Sequence, residues 1–321
     1  MKKPMLISLA AATLTAGAGV FAADPASTSH VGLGMIQLVD RAAGTATVAQ
    51  EPILRYVHGM SFTPDGKTLV IPKHAGLAAY REGRWSQVYG PAHEFTGYIA
   101  TADAIYASGH PAPGFGLQRQ MGLIISTDGG LIWRQLALEG ESAFDIMAVG
   151  YWSNTLYVVN PAPNSLMRAP GIYWTRDDGK TWRRAAAQGL DGQILSLAAH
   201  PREAATLAVA TSMGLFLSRD AGEHFQPLDD TQTATTAAFD FDAKRLHYVR
   251  GDSRELLTMT LDDRTTSEVK LPELGADLVA YLAQSPADAR IFAFATRWRN
   301  VFLSTDAGAT WRQIAEEGYW P

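Results

Sequence analysis

The chain has no cysteine in 321 residues. That absence excludes a disulfide framework, a thiol nucleophile and any Cys-based zinc or iron–sulfur site. Positive charge is also short, with 27 Lys and Arg against 32 Asp and Glu. A net charge of −5 speaks against nucleic-acid binding, which needs clustered cations to meet phosphates. Long apolar runs are missing once the first two dozen residues are passed, so no membrane-spanning helix is expected after them. Helical periodicity and low-complexity linkers are missing too. What remains is a chain that is 47% hydrophobic, with 29 Gly, 16 Pro and 8 Trp, long enough for a sizeable core.

Residues 1–23 read as a secretory signal peptide. Lys2 and Lys3 form a basic start, Met5 to Val20 is apolar and small, and Val20-Phe21-Ala22 fits a cleavage site before Ala23 or Asp24. Cleavage leaves 25 basic against 32 acidic residues, a mature balance of −7. The expected location is periplasmic or extracellular, with no membrane association after cleavage and a monomeric state.

The dominant signal is an internal repeat. Ser126-Thr-Asp-Gly-Gly-Leu-Ile-Trp133, Thr175-Arg-Asp-Asp-Gly-Lys-Thr-Trp182, Ser218-Arg-Asp-Ala-Gly-Glu-His-Phe225 and Ser304-Thr-Asp-Ala-Gly-Ala-Thr-Trp311 share one form, Ser/Thr-x-Asp-x-Gly-x-x-Trp/Phe. The spacings are 49, 43 and 86 residues, and the last is twice 43. A degenerate copy fills the gap at Thr260-Leu-Asp262-Asp-Arg-Thr-Thr-Ser267, aligning Ser267 with the aromatic. A shortened copy lies upstream at Ala79-Tyr-Arg-Glu-Gly-Arg-Trp85. Each unit reads as four strands of five or six residues separated by turn residues. Four strands per unit of this length predict an all-β fold, a single β-propeller of six blades, or seven if residues 31–54 form most of a blade. The expected organisation is a signal peptide at 1–23, an N-terminal segment with an extra strand at 24–54, and the propeller at 55–321.

The repeat resembles the Asp box, or BNR repeat, of sialidases, the sortilin ectodomain and many secreted bacterial propellers. The resemblance implies that Asp128, Asp177, Asp220 and Asp306 are structural, each accepting backbone N–H groups in a turn on the outer bottom rim. It places the aromatic between blades. A finer resemblance runs through His58-Gly-Met-Ser-Phe-Thr-Pro-Asp-Gly-Lys, Lys73-His-Ala-Gly-Leu, Ser108-Gly-His-Pro and Gly122-Leu-Ile-Ile-Ser-Thr-Asp-Gly-Gly. These are similar to an exported bacterial BNR-repeat family whose members are usually named glycosylhydrolases. That family implies a further histidine where this chain has Asp145.

In a propeller, the loops entering the first strand and joining the second to the third open on the top face. This sorts His58, His74, His93 and His110 onto the top of two adjacent blades, together with Glu94 and Asp145. Imidazoles near carboxylates suit Zn or Cu, acid–base work, or a polar ligand. The expectation is therefore a metal ion or small polar ligand held by those four histidines. His224 falls on the other face beside an Asp box, His30 lies in the N-terminal start, and His200 and His247 read as peripheral. The alternatives are a glycoside hydrolase using Glu94 and Asp145 as its carboxylate pair, and a sortilin-like binder of peptide or protein. Whether the chain is an enzyme stays open. The early Arg-Ile-Pro of sialidases is absent, the nearest string being Val70-Ile-Pro72-Lys73. Arg297 and Arg299 are candidate ligand-binding residues, with Arg250 and Arg55 also on top. Trp298, Tyr151, Trp152 and Phe115 are candidate aromatic anchors on top-face loops.

Overall fold

Short β-branched and aromatic runs broken by Gly, Asp and Pro leave the backbone little choice but strands joined by tight turns. The computed structural model describes residues 38–39, 53–252 and 254–320, and among these there is no helix. The signal peptide, its cleavage site and most of the 24–54 segment lie outside the described residues.

The strands group into six antiparallel blades, each contiguous in sequence. Blade 1 holds β2 (Ser61–Phe62), β3 (Leu69–Pro72), β4 (Leu77–Arg81) and β5 (Arg84–Val88), and β1 (Leu38–Val39) pairs antiparallel along the outer edge of β5. Blade 2 comprises β6 (Glu94–Ala100), β7 (Ile105–His110), β8 (Leu123–Ser126) and β9 (Arg134–Ala137). Blade 3 follows with β10 (Met147–Val149), β11 (Leu156–Asn160), β12 (Gly171–Thr175) and β13 (Arg183–Arg184). Blade 4 runs β14 (Ile194–Ala199), β15 (Leu207–Thr211), β16 (Gly214–Ser218) and β17 (Gln226–Asp229). Blade 5 runs β18 (Ala234–Phe239), β19 (Arg245–Arg250), β20 (Glu255–Thr260) and β21 (Thr266–Val269). Blade 6 ends the ring with β22 (Val279–Gln284), β23 (Phe292–Thr296), β24 (Val301–Ser304) and β25 (Arg312–Ala315).

The first strands of the blades stand side by side around an axis, and β2 touches both β6 and β22, which closes the ring. Six inner strands converge there, and neighbouring strands approach closely. Gly97 shows the limit: a Cβ at this position would meet the Phe144 carbonyl and the Met147 side chain. Bulges interrupt the pairing at the beginning of β6, β14, β18 and β22, between Phe95 and Gly97, Ile194 and Ser196, Ala234 and Thr236, and Val279 and Tyr281. All four lie at the same end of the channel, the top, where an extra residue re-aims the side chains at the mouth.

One hydrophobic cluster fills each interface between neighbouring blades. Trp133 packs on Phe95 and Trp182 on Phe144, while Phe225 and Trp311 do the same at the 3/4 and 5/6 interfaces. The repeat turns explain this placement. In blade 3, the Asp177 carboxylate accepts from Thr175 Oγ1 at 2.7 Å, Thr181 N at 2.9 Å and Thr181 Oγ1 at 2.6 Å. The Thr175 hydroxyl accepts from Gly179 N. Asp128, Asp220 and Asp306 hold their turns in the same way. These bonds hold the Asp177, Asp220 and Asp306 carboxyls well down, to about 2. They also keep Asp178, Ala221 and Ala307, the residues before the repeat glycines, in the left-handed region at φ 57°, 62° and 61°.

The fifth turn departs from the sequence alignment. Partners flanking the intact turns are nine residues apart, as in Ile125 and Arg134 or Leu303 and Arg312, whereas Met259 and Thr266 are seven apart. The loop is two residues shorter. Thr265, directly before β21, stands where the aromatic stands elsewhere, and Ser267 does not. Asp263 rather than Asp262 accepts from Thr265, through both N–H and hydroxyl.

Candidate functional site

The channel forms a cavity of about 330 Å³ open to solvent. His58 and Asp145, each on the loop entering an inner strand, line it at the top, and Tyr281 stands on the wall beside them. Tyr56 stands beside His58, its ring 5.9 Å from the His58 ring in a stacked arrangement and 5.7 Å from His74 edge-on. His74, on the β3–β4 loop, places Nδ1 3.2 Å from Glu94 Oε1. Glu94 opens β6, and its Cα partner across the ladder is His110 at the end of β7. One aromatic therefore bridges two imidazoles, one of which bonds a carboxylate.

His58 is the centre of this group electrostatically. Burial pushes its pKa below 6.5, the Glu94 and Asp145 carboxylates oppose that, and His74 adds to it. Its Nε2 is buried with no hydrogen-bond partner. A buried polar atom without a partner costs on the order of 1–3 kcal/mol. Across the mouth, burial raises the Tyr281 phenol and the Asp145 charge raises it further, so its hydroxyl stays protonated. Lys73, next to His74, has its amine lowered by burial.

The four-histidine metal centre expected from the sequence is not assembled. Among the described residues no three His, Asp or Glu side chains are placed to hold a metal ion. His93 is 2% exposed, its Nδ1 accepts the Ala112 N–H at 2.9 Å, and it is packed edge-on against Phe95 and Phe115. Burial lowers its pKa, as befits a core residue. His110 spends Nδ1 on the Arg119 carbonyl at 3.0 Å, tying down the loop beyond β7. Of the four histidines, His58 alone lines the channel cavity; His74 and Glu94 stand beside it without lining it, linked to His58 through the Tyr56 ring.

Of the remaining site expectations, neither Arg297 nor Arg299 lines the cavity. Arg299 donates Nε to the Glu317 carbonyl at 3.1 Å, while Arg297 is exposed on the β23–β24 loop. Arg250 is bonded to Asp229 at 2.7 Å and Glu255 at 3.2 Å. Tyr151 and Trp152 sit on the β10–β11 loop, which opens at the bottom rather than the top. They pack on Phe241 there, with the Arg202 guanidinium 3.9 Å from the Trp152 ring centre. His200 and His247 are buried rather than peripheral. Sequence reasoning missed Tyr56 and Tyr281. An exposed Tyr two residues before His58 was the visible signal for the first. The second depended on the β22 bulge, which spacing does not reveal.

No family model matches the chain. A 64-residue segment is 38% identical to a xyloglucanase of Hypocrea jecorina, covering 20% of this chain and 8% of that protein. The fold is similar to the GH74 enzyme of Niastella koreensis at a TM-score of 0.54 and 14% identity, covering 81% of this chain and 45% of that one. An ancestral GH74 enzyme gives a TM-score of 0.52 at 14% identity, over 85% of this chain and 40% of that one. A chain of the nidogen/laminin complex gives 0.58 at 10% identity, over 79% of this chain and 93% of that one. The chain thus spans under half of either GH74 enzyme. At such identities the likeness is one of fold.

Proposed function

We propose that the protein is an exported, monomeric β-propeller of the Asp-box class that binds a neutral saccharide at the top mouth of its channel. The observation that carries this reading is the buried, unpartnered Nε2 of His58, set in the field of two carboxylates under an exposed aromatic ring. Sugar hydroxyls both donate and accept, so one ligand would satisfy a neutral imidazole, the Asp145 carboxylate and the Tyr281 hydroxyl together. The Tyr56 ring, 54% exposed, offers the apolar face that a pyranose presents its C–H groups to. A cavity near 330 Å³ suits a ligand of one or two sugar rings. The segment shared with a xyloglucanase and the fold likeness to GH74 enzymes support a glucan over other saccharides.

A second reading is glycoside hydrolysis, favoured by one observation: Glu94 and Asp145 both bear on His58. Here the two carboxylates divide acid and base roles, with His74 orienting Glu94. Calorimetric titration with xyloglucan oligosaccharides, beside a reducing-sugar assay, separates the two. Binding lost in His58→Ala and Asp145→Asn without any turnover supports the binder. Turnover that disappears in Glu94→Gln while binding persists supports the hydrolase. No affinity for neutral oligosaccharides at millimolar concentration overturns both.

A further inference from the structure

A second cavity, of about 230 Å³, opens on the outer rim between blades 4 and 5. Its position has a reason within the molecule. At four other interfaces the repeat supplies a Trp or Phe that fills the rim: Trp133, Trp182, Phe225 and Trp311. Each directly precedes the outer strand of its blade and packs toward the preceding one. Trp311 also donates Nε1 to the Lys270 carbonyl, just past the outer strand of the preceding blade. In blade 5 the turn is two residues shorter, and Thr265 replaces the ring. Its side chain turns back to Asp263 at 2.8 Å instead of reaching blade 4. The cavity lies beside this shortened turn, lined on the blade 5 side by Leu261 and Arg264.

Leu217 and Leu228 of blade 4 and Leu261 of blade 5 make an apolar floor. Arg219 and Arg264 stand at its edge. The Arg219 side chain is 56% exposed, with its guanidinium 3.9 Å from Glu203. Arg264 uses its backbone N–H on Thr260 and holds φ at 58°, leaving its side chain exposed. Three acids stand nearby: Asp220, in the lining, holds Ser218 and His224, Asp263 holds Thr265, and Glu203 lies beside Arg219. The volume is below the roughly 300–1,000 Å³ of a small-molecule cleft, so it suits a single side chain.

We propose that this rim pocket receives an aromatic side chain of a partner polypeptide, flanked by carboxylates that meet Arg219 and Arg264. The ring would pack on Leu217, Leu228 and Leu261 beside the shortened turn. The two arginines select acidic neighbours and disfavour basic ones. The site lies on the outside bottom rim, independent of the channel mouth and of any saccharide there.

The test is calorimetric titration of the purified protein with Ac-Asp-Trp-Glu-NH₂, Ac-Asp-Ala-Glu-NH₂ and Ac-Lys-Trp-Lys-NH₂. The acidic Trp peptide is expected to bind at least tenfold tighter than either control. Leu261→Trp fills the floor from within and should weaken it tenfold or more. Arg219→Ala/Arg264→Ala changes only exposed side chains, so folding is retained, and should bring the acidic Trp peptide to the level of the basic one. Equal binding of the Trp and Ala peptides, no binding of the acidic Trp peptide, or tight binding that survives both variants overturns the proposal.

Discussion

The Trp85 indole donates Nε1 to the Ile314 carbonyl at 2.6 Å, across 229 residues of sequence. This bond latches blade 1 to blade 6. Arg312 Nη2 to the Tyr80 hydroxyl at 2.6 Å and Leu54 N to the Gly318 carbonyl at 3.0 Å reinforce it. Among the described residues no strand crosses this seam, so its strength there is side-chain packing plus a few hydrogen bonds. Trp85→Phe keeps most of the packing but strands the carbonyl, and should cost about 1–3 kcal/mol. Trp85→Ala should cost about 3–5 kcal/mol. Urea denaturation followed by tryptophan-independent far-UV circular dichroism measures both. Equal midpoints for wild type and Trp85→Phe would show that the bond is not the latch.

Gly109 ties the candidate site to the backbone. It has φ +146°, and a Cβ there would run into the Glu94 carbonyl and the Thr96 amide. Gly109→Ala should therefore lower Tm by several degrees and displace Glu94 from His74. The expected signature is a tenfold or greater loss of saccharide affinity in a protein that still folds. Unchanged affinity in the folded variant would remove Glu94 from the site.

Acid should unfold the protein through its buried histidines. His247 accepts or donates at Nδ1 to Thr258 Oγ1, has no partner for Nε2, and its pKa is pushed down to about 4 by burial. The unfolded chain then takes up its proton first, near 6.5. Stability is fully present above 6.5 and is lost as pH falls through about 4. The difference amounts to roughly 3 kcal/mol. His58, His93 and His200, also lowered by burial, act with the same sign. Urea midpoints at pH 7, 5.5 and 4.5 should fall steeply in the wild type and less so in His247→Gln. Parallel curves would contradict the assignment.

Metal should add nothing to stability. A metal held by the native state at a hundredfold excess over Kd raises stability by about 2.7 kcal/mol. Chelator-treated protein given Zn²⁺ or Cu²⁺ is expected to keep its Tm, because the donors do not converge. A rise abolished by His58→Ala/His74→Ala would reverse that conclusion.

The blade count was readable because the repeat is a local device: a carboxylate, a hydroxyl and a glycine within five residues make the turn without help. Where the same turn lost two residues, spacing alone misaligned Thr265 and Ser267, since register is a property of two strands. The candidate site was half legible. His58 lines the channel and His74 stands close to it through Tyr56, but His93 is on the same loop system and is buried against Phe95 and Phe115. Sequence position assigns a residue to a face, not its side chain to a direction. Tyr151 and Trp152 failed differently, because the short β10 ends before them and sends them to the opposite end of the channel.

Blades 2 to 6 each draw all four of their paired strands from one uninterrupted stretch of chain, and blade 1 adds β1 to four such strands. A duplication or deletion of about 43 residues in the gene would therefore add or remove one whole sheet, with no strand orphaned in a neighbour. The segment that inheritance copies is the segment that folds, so each copy can drift on its own. The fifth has done so, and its shortened turn is a feature that strand exchange between blades would have made costly.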